Sequence, residues 1–256
     1  MAADGETTLD AVLDGRLTLR QPKRGHRVGH DAILLAAATE AKPGELAVEL
    51  GAGVGAAGLA LARRVAGLKV TLVELDAVLA ALAQDNAARN ELAGRVQVAV
   101  LDVAAPDAEF ANAGIGPGSA ACVLMNPPFN DPARQNVSPD PQRRFAHAGP
   151  ADTLSRWMGR AASLLASSGT LTLIWRADGL DGVLAVARAG FGGVAVLPIY
   201  PRPDAAAIRI LVRAIKGSRA PLAVMPGLTL NDSRGRPTGE AEAILRGGAL
   251  LRWRPD

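Results

Sequence analysis

The chain has 256 residues, 49% hydrophobic and 21% charged, which predicts a globular protein of one domain with a modest appendage. Its formal net charge of +3 says little about partners, and its single cysteine, Cys122, excludes an internal disulfide. Every apolar run is too short or too interrupted to span a membrane, and residues 1–10 are acidic and polar, unlike a signal peptide, so we expect a cytoplasmic protein without membrane contact.

The first residues of the chain are polar, and basic residues crowd the stretch that follows them. We expect residues 1–14 to be mobile, 17–20 to form a short strand, and the apolar stretch after Asp31 to form a helix that ends at Pro43-Gly44. The basic residues are Arg16, Arg20, Lys23, Arg24 and Arg27. Such a cluster can contact phosphates, and a solvated surface explains it equally well.

Residues 45–216 alternate short apolar strands with helices, the pattern of a parallel sheet covered on both faces. The predicted strands are 45–50, 69–75, 95–101, 121–125, 169–175, 192–200 and 207–215. The predicted helices are 57–66, 77–92, 152–169 and 180–190, the third closed by Gly169 as its C-cap.

The last two predicted strands have no helix-length sequence between them. A connection as short as PRPDAA joins antiparallel strands, whereas parallel strands need a crossover of a dozen residues or more. We therefore predict an α/β fold with a Rossmann-like, mostly parallel sheet that ends in an antiparallel pair. Residues 217–256 are predicted to add a small cap of strand and helix.

A glycine-rich loop, residues 51–55, follows the first strand of this pattern. Its glycines permit positive φ and let a ligand approach the backbone at a helix N-terminus. Carboxylates stand where the next two strands end: Glu74 can accept both hydroxyls of a ribose, and Asp102 can reach an adenine amino group. The residues that we predict to hold a cofactor are Glu49, Gly51, Ala52, Gly53, Gly55, Glu74, Leu75, Asp102, Val103 and Asn126.

The glycine loop alone leaves two cofactor classes open. Gly51, Gly53 and Ala56 satisfy the dinucleotide pattern GxGxxG/A, and Glu74 lies about 20 residues further on, as that pattern expects. Glu49 favours S-adenosylmethionine, because its carboxylate is placed to bind the amino group of a methionine moiety, which a dinucleotide lacks.

The most informative stretch is Asn126-Pro127-Pro128-Phe129, at the end of the fourth predicted strand. The two prolines stop the strand ladder and restrict φ. The Asn126 side-chain oxygen and the Pro127 carbonyl can accept hydrogen bonds from one planar NH₂ group, while Phe129 stacks on the ring that carries it. We predict these four residues to be catalytic in an in-line methyl transfer that depends on positioning rather than on a strong base.

The motifs VELGAGVG, VTLVELD and MNPPF resemble those of class I methyltransferases that act on planar exocyclic or amide nitrogens. The segment GRLTLRQPKRGHRVGHDAILLAAA and the tail from 220 to 248 are similar to the bacterial tRNA(Val) (adenine-N6)-methyltransferase family, which modifies position 37 of the anticodon loop. The resemblance implies a seven-stranded Rossmann-like sheet, S-adenosylmethionine as cofactor with S-adenosylhomocysteine as product, and tRNA as substrate.

We expect the chain to divide into a substrate-contacting extension, 1–44, a Rossmann-like methyltransferase domain, 45–216, and an extension packed on that domain, 217–256. The same resemblance implies which residues act. It places cofactor roles on Glu49, Gly51, Gly53, Glu74 and Asp102, and catalytic roles on Asn126, Pro127 and Phe129. Glu49 replaces a commoner Asp, His26 stands where many members have Tyr, and the loop 130–149 matches only loosely.

Further arginines, and the histidines, bear on the substrate and on metals. The arginines that we predict to grip RNA phosphates are Arg24, Arg27, Arg134, Arg143 and Arg144. His26, His30 and His147 are too few and too scattered for a metal site, so no metal is expected.

The alternative functions left open are methylation of guanine N2 in ribosomal RNA, of a protein glutamine amide or of a small-molecule hydroxyl, and an NAD-dependent oxidoreductase. The oligomeric state is left open as well.

Overall fold

The computed structural model describes residues 6–24, 27–128 and 150–253. A hairpin of β1 (Thr7–Val12) and β2 (Leu17–Pro22) comes first, with Val12 opposite Leu17. The prediction that residues 1–14 are mobile is wrong for 7–12, because β1 pairs along its whole length with β2. Leu17 and Leu19 of β2 are in turn fully buried.

The remaining elements follow the predicted alternation, except that the first helix ends at Ala38 rather than at Pro43-Gly44. The helices are α1 (His30–Ala38), α2 (Ala56–Arg64), α3 (Ala77–Arg89), α4 (Asp107–Asn112), α5 (Pro150–Leu164), α6 (Leu180–Ala187) and α7 (Gly239–Leu245). The strands are β3 (Leu46–Leu50), β4 (Lys69–Glu74), β5 (Val96–Val100), β6 (Ala120–Met125), β7 (Leu165–Arg176), β8 (Phe191–Tyr200), β9 (Arg209–Lys216), β10 (Ala223–Val224) and β11 (Leu228–Thr229).

The main sheet runs in the order β10-β8-β9-β7-β6-β3-β4-β5, and β11 also pairs with β8. Strand β9 is antiparallel to both of its neighbours, β7 and β8, and every other pair in the sheet is parallel. This topology confirms the predicted α/β class and the antiparallel last pair. The tail adds β10 and β11 to the seven predicted strands, which makes nine strands in the sheet.

Helix α5 ends earlier than the sequence predicts. It stops at Leu164, and Gly169 lies inside β7 rather than at a helix C-cap. The neighbouring strand decides this, because Leu165 already pairs with Ala120 of β6. A Cβ at Gly169 would stand 3.1 Å from the Ala121 carbonyl oxygen, so the glycine serves close approach to β6. The short helix α4, with its fully buried Phe110, was not predicted at all.

Helices cover both faces of the sheet, and the alternation of side chains along β3 decides which face each residue meets. Ala47 belongs to the apolar core beneath α1, α2, α3, α7 and the hairpin. Val48 belongs to the core beneath α4, α5 and α6. Glu49, two residues after Ala47, therefore points toward α2. Within the described part of the chain, no helix is long and apolar enough to cross a bilayer.

Candidate cofactor and catalytic site

The carboxyl ends of three neighbouring parallel strands bring the predicted motifs to one edge of the sheet. Leu50 of β3 pairs with Val73 of β4 on one side and with Met125 of β6 on the other. The glycine loop, Glu74 and Asn126 follow directly from these three strand ends. Ligands of open α/β sheets bind in the crevice outside the carboxyl ends of the strands, so this edge is the candidate site.

The glycine loop (residues 51–55) adopts backbone conformations that glycine tolerates best. Gly51 and Gly55 have φ of 67° and 87°. A Cβ at Gly51 would overlap the indole ring of the half-buried Trp157, and one at Gly55 would stand 2.8 Å from Cδ1 of Leu72. Positive φ and close packing both require glycine at these two positions.

Glu74 ties the glycine loop to the start of α3. Its Oε2 accepts a hydrogen bond of 2.7 Å from the backbone N–H of Gly53, and its Oε1 accepts one of 2.8 Å from the N–H of Asp76. Asp76 in turn caps α3, where it accepts from the N–H of Val78 at 2.8 Å. Each carboxylate oxygen can accept more than one hydrogen bond, so the half-buried Glu74 retains capacity for ligand hydroxyls.

Leu75, Asp102 and Val103 complete the rim beside Glu74. Leu75 is 64% exposed, although it is a large apolar residue at a strand end. The backbone N–H of Leu101 donates to the Glu74 carbonyl at 3.0 Å, which places the Asp102 turn alongside. Asp102 is exposed and accepts from the N–H of Ala104 at 2.8 Å, whereas Val103 is buried. The rim therefore offers an apolar surface between two carboxylates.

Glu49 is a buried carboxyl group, 5% exposed. Its Oε2 accepts a 2.6 Å hydrogen bond from the backbone N–H of Gly58, in the first turn of α2. Burial raises the pKa of Glu49 to about 8; the Gly58 hydrogen bond opposes this rise, and the charge of Glu74 adds to it. A carboxyl group of this kind is suited to an incoming ammonium group, whose positive charge would favour its ionised form.

Asn126 carries an unsatisfied acceptor. Its Oδ1 is buried and has no hydrogen-bond partner among the residues that the structure describes. Leaving a buried polar atom unpaired costs about 1–3 kcal/mol, so such an atom at a candidate site indicates a role toward a ligand. The adjacent Pro127 is buried and Pro128 is exposed, while Phe129 lies outside the described residues.

The predicted substrate-contacting residues differ in their surroundings, and several lie outside the described residues. Arg24 is exposed, but Arg27 is engaged on the hairpin, where its Nη2 lies 2.9 Å from Asp10. His30 is exposed at the start of α1. The predicted residues that lie outside the described part of the chain are Arg134, Arg143, Arg144, His26 and His147. Over 6–24, 27–128 and 150–253, no group of His, Cys, Asp or Glu is arranged to hold a metal ion.

Three residues near the site were not predicted as functional. Gly58 binds Glu49, Trp157 covers Gly51, and Asn86 reaches the glycine loop. Asn86 left a signal in the sequence, because it is a polar residue on the otherwise apolar face of its helix. Trp157 left none, since only the packing of α5 brings it to Gly51.

A family model described as the methyltransferase small domain matches residues 27–180. Among curated proteins, a tRNA1(Val) (adenine(37)-N6)-methyltransferase from Porphyromonas gingivalis is 31% identical over 169 residues, 64% of each chain. A protein of the same name from Bacteroides fragilis is 26% identical and is matched over 77% of this chain and 80% of its own. The chain thus spans slightly less than two thirds of the P. gingivalis relative.

The fold is also similar to solved structures. A crystal structure described as a predicted O-methyltransferase from Agrobacterium tumefaciens has a TM-score of 0.73 and 29% identity, and covers 86% of this chain and 98% of its own. A tRNA (m1A58) methyltransferase from Aquifex aeolicus has a TM-score of 0.53 at 17% identity, covering 77% and 72%, and shows a shared fold alone. The relatives agree with the resemblance that the sequence motifs carry.

Proposed function

This chain belongs to the methyltransferase small domain family, and we propose that it methylates the exocyclic N6 of an adenine in the anticodon loop of a tRNA, the position-37 adenine of valine tRNA in particular. The family confirms the predicted methyltransferase class, with S-adenosylmethionine as the donor. The single observation that supports nitrogen chemistry at this site is the buried Oδ1 of Asn126, which finds no hydrogen-bond partner within 6–24, 27–128 and 150–253.

The residues at the strand ends fit this cofactor. The buried carboxyl group of Glu49 suits the ammonium of the methionine moiety. The two carboxylate oxygens of Glu74, beside the glycine loop, can accept hydrogen bonds from the two ribose hydroxyls. Asp102 and the exposed Leu75 suit the adenine, as a hydrogen-bond acceptor and an apolar surface. When bound, S-adenosylmethionine supplies an electrophilic methyl group on its sulfonium.

Asn126 and Pro127 orient the nucleophile in this proposal. The Asn126 Oδ1 and the Pro127 carbonyl accept the two N–H bonds of the adenine amino group, which turns the nitrogen lone pair out of the ring's conjugation. The rate then depends on holding nitrogen and methyl carbon about 3–3.5 Å apart in line. The amine loses its proton after attack, so the residues need not include a strong base.

Such a site can reach an adenine most easily when the base is unpaired, as in a loop. Enzymes that act on a base take it out of the stack, and a base in a single-stranded loop costs least to splay out. The names of the relatives, which specify adenine 37 of a valine tRNA, support this choice. We propose Arg24, Arg134, Arg143 and Arg144 as phosphate contacts, with Arg27 joining them only if it leaves Asp10.

The test is methyl transfer from labelled cofactor to tRNA that lacks the modification, followed by nucleoside digestion and mass spectrometry. We expect N6-methyladenosine, lost in Asn126→Ala and kept in a control change of the exposed Asn112, Asn112→Ala. Label in ribosomal RNA, in protein glutamine or in a hydroxyl group, with tRNA unlabelled, would contradict the adenine proposal. The hydroxyl outcome is included because the A. tumefaciens structure is described as a predicted O-methyltransferase.

A further inference from the structure

Asn86 of α3 and Asn90, the C-cap residue directly after α3, bind the free edge of the hairpin strand β2 as a neighbouring strand would. Asn90 Oδ1 accepts from the backbone N–H of Thr18 at 2.9 Å, and its Nδ2 donates to the Thr18 carbonyl at 2.7 Å. Asn86 does the same for Arg20, at 2.6 Å and 3.0 Å. Since Thr18 and Arg20 are two residues apart, both present their backbone groups to α3.

Asn86 differs from Asn90 in where its second amide hydrogen goes. In Asn86 it is donated to the carbonyl of Val54, inside the glycine loop, at 3.0 Å. In Asn90 it is donated to the backbone carbonyl of Asn86, within α3 itself, at 2.7 Å. Both side chains are buried, with Asn86 fully so. The Asn86 amide therefore joins the hairpin backbone to the glycine loop, whereas the Asn90 amide does not.

We propose that Asn86 is a positioning residue that couples docking of the hairpin to the conformation of the glycine loop. Its two N–H bonds lie in one plane, so a displaced β2 would rotate the amide and release the Val54 carbonyl. Val54 follows Gly53, whose N–H holds Glu74. A ligand that orders the glycine loop thus orders the hairpin, and by linkage a ligand that orders the hairpin strengthens cofactor binding.

The experiment compares Asn86→Ala with the matched control Asn90→Ala. Calorimetry gives the affinity for S-adenosylhomocysteine, and hydrogen exchange follows the amides of Thr18 and Arg20 with and without it. We expect Asn86→Ala to bind about five- to tenfold more weakly, the effect of one hydrogen bond. We expect Asn90→Ala, which loosens the hairpin but leaves the link from Arg20 to Val54 in place, to lose clearly less affinity than Asn86→Ala.

Hydrogen exchange separates coupling from simple loss of stability. In the wild type, S-adenosylhomocysteine should slow exchange at Thr18 and Arg20. The amide of Leu230 in the tail, which donates to the Tyr200 carbonyl of β8, should be unchanged. In Asn86→Ala the protection at Thr18, whose acceptor Asn90 Oδ1 is still present, should no longer respond to the ligand. If Asn86→Ala does not fold, the wild-type comparison still decides the matter.

Two outcomes would overturn the proposal. One is an equal loss of affinity in both variants. The other is an exchange rate at the wild-type Arg20 amide that is the same with and without S-adenosylhomocysteine. The proposal rests on cofactor binding and not on the identity of the methylated base. Both measurements use the protein and S-adenosylhomocysteine without RNA, so failure of the tRNA proposal would leave this result standing.

Discussion

Glu74 accepts a 2.7 Å hydrogen bond from the backbone N–H of Gly53, so the carboxylate proposed to bind ribose also holds the loop that approaches the cofactor. The same side chain accepts from Asp76, the N-cap of α3. If Glu74 binds the ribose as proposed, cofactor affinity and loop order both depend on this one residue, and its substitution should cost more than the loss of a ribose contact alone.

Replacing Glu74 by Ala should weaken S-adenosylhomocysteine binding by more than tenfold, since the ribose acceptor and the loop anchor disappear together. Glu74→Gln should lose less, because the amide oxygen can still accept from Gly53. Calorimetry on both variants measures this. The exposed Glu109 of α4 provides the control, and Glu109→Ala should bind like the wild type. Equal affinities for Glu74→Ala and the wild type would remove Glu74 from the site.

Glu49 should make the stability of the ligand-free protein pH-dependent. Burial raises its pKa from 4.5 to about 8, so between these values the folded state holds a proton that the unfolded state releases. Its contribution to the free energy of unfolding is therefore complete below about pH 4.5 and falls by up to about 1.4 kcal/mol per pH unit as pH rises to about 8.

Glu49→Gln removes this titration. The melting temperature of the variant relative to the wild type should rise between pH 5 and pH 8, as measured by calorimetric scans at several pH values. Its affinity for S-adenosylhomocysteine should fall, because the neutral amide no longer pairs with an ammonium group. In the wild type at pH 7, ligand binding should release a proton, seen as an enthalpy that depends on the buffer. A constant difference in melting temperature across this range would contradict the raised pKa.

Asn126→Ala should separate stability from activity. The substitution removes a buried oxygen that lacks a partner among the described residues, so the ligand-free protein should melt at the same temperature or slightly higher. Methyl transfer should fall by two orders of magnitude or more, while S-adenosylhomocysteine affinity changes little. Thermal denaturation, calorimetry and turnover on one preparation test all three. A large loss of stability would show that Asn126 has a structural role instead.

Gly51→Ala should abolish cofactor binding for two separable reasons, its positive φ and the overlap with Trp157. Gly53 has a φ of 56°, but a Cβ there would meet no atom within 4 Å. Gly53→Ala should therefore destabilise the folded loop only by its backbone strain, about 1–2 kcal/mol. The double variant Gly51→Ala/Trp157→Ala should recover part of the loss. No recovery in a double-mutant cycle on S-adenosylhomocysteine affinity would mean that φ alone requires glycine there.

Sequence patterns alone predict the alternation of strands and helices, the glycine loop, the acids at the strand ends and the antiparallel last pair. These features depend on residues close together in the chain: side-chain periodicity, turn residues and the length of a connection. The strand ends then place the glycine loop, Glu74 and Asn126 at one edge, because parallel neighbours end side by side.

Packing between distant segments sets where β1 pairs, that Arg27 meets Asp10, that α5 ends at Leu164, and that Asn86 joins the hairpin to Val54. Local sequence is silent or misleading at these points. Residues 7–12, only half of them apolar, gain their order from the backbone of β2, and Leu165 is held in β7 by its partner in β6. Such contacts depend on how distant segments pack, and packing overrides local propensity wherever buried backbone groups must find partners.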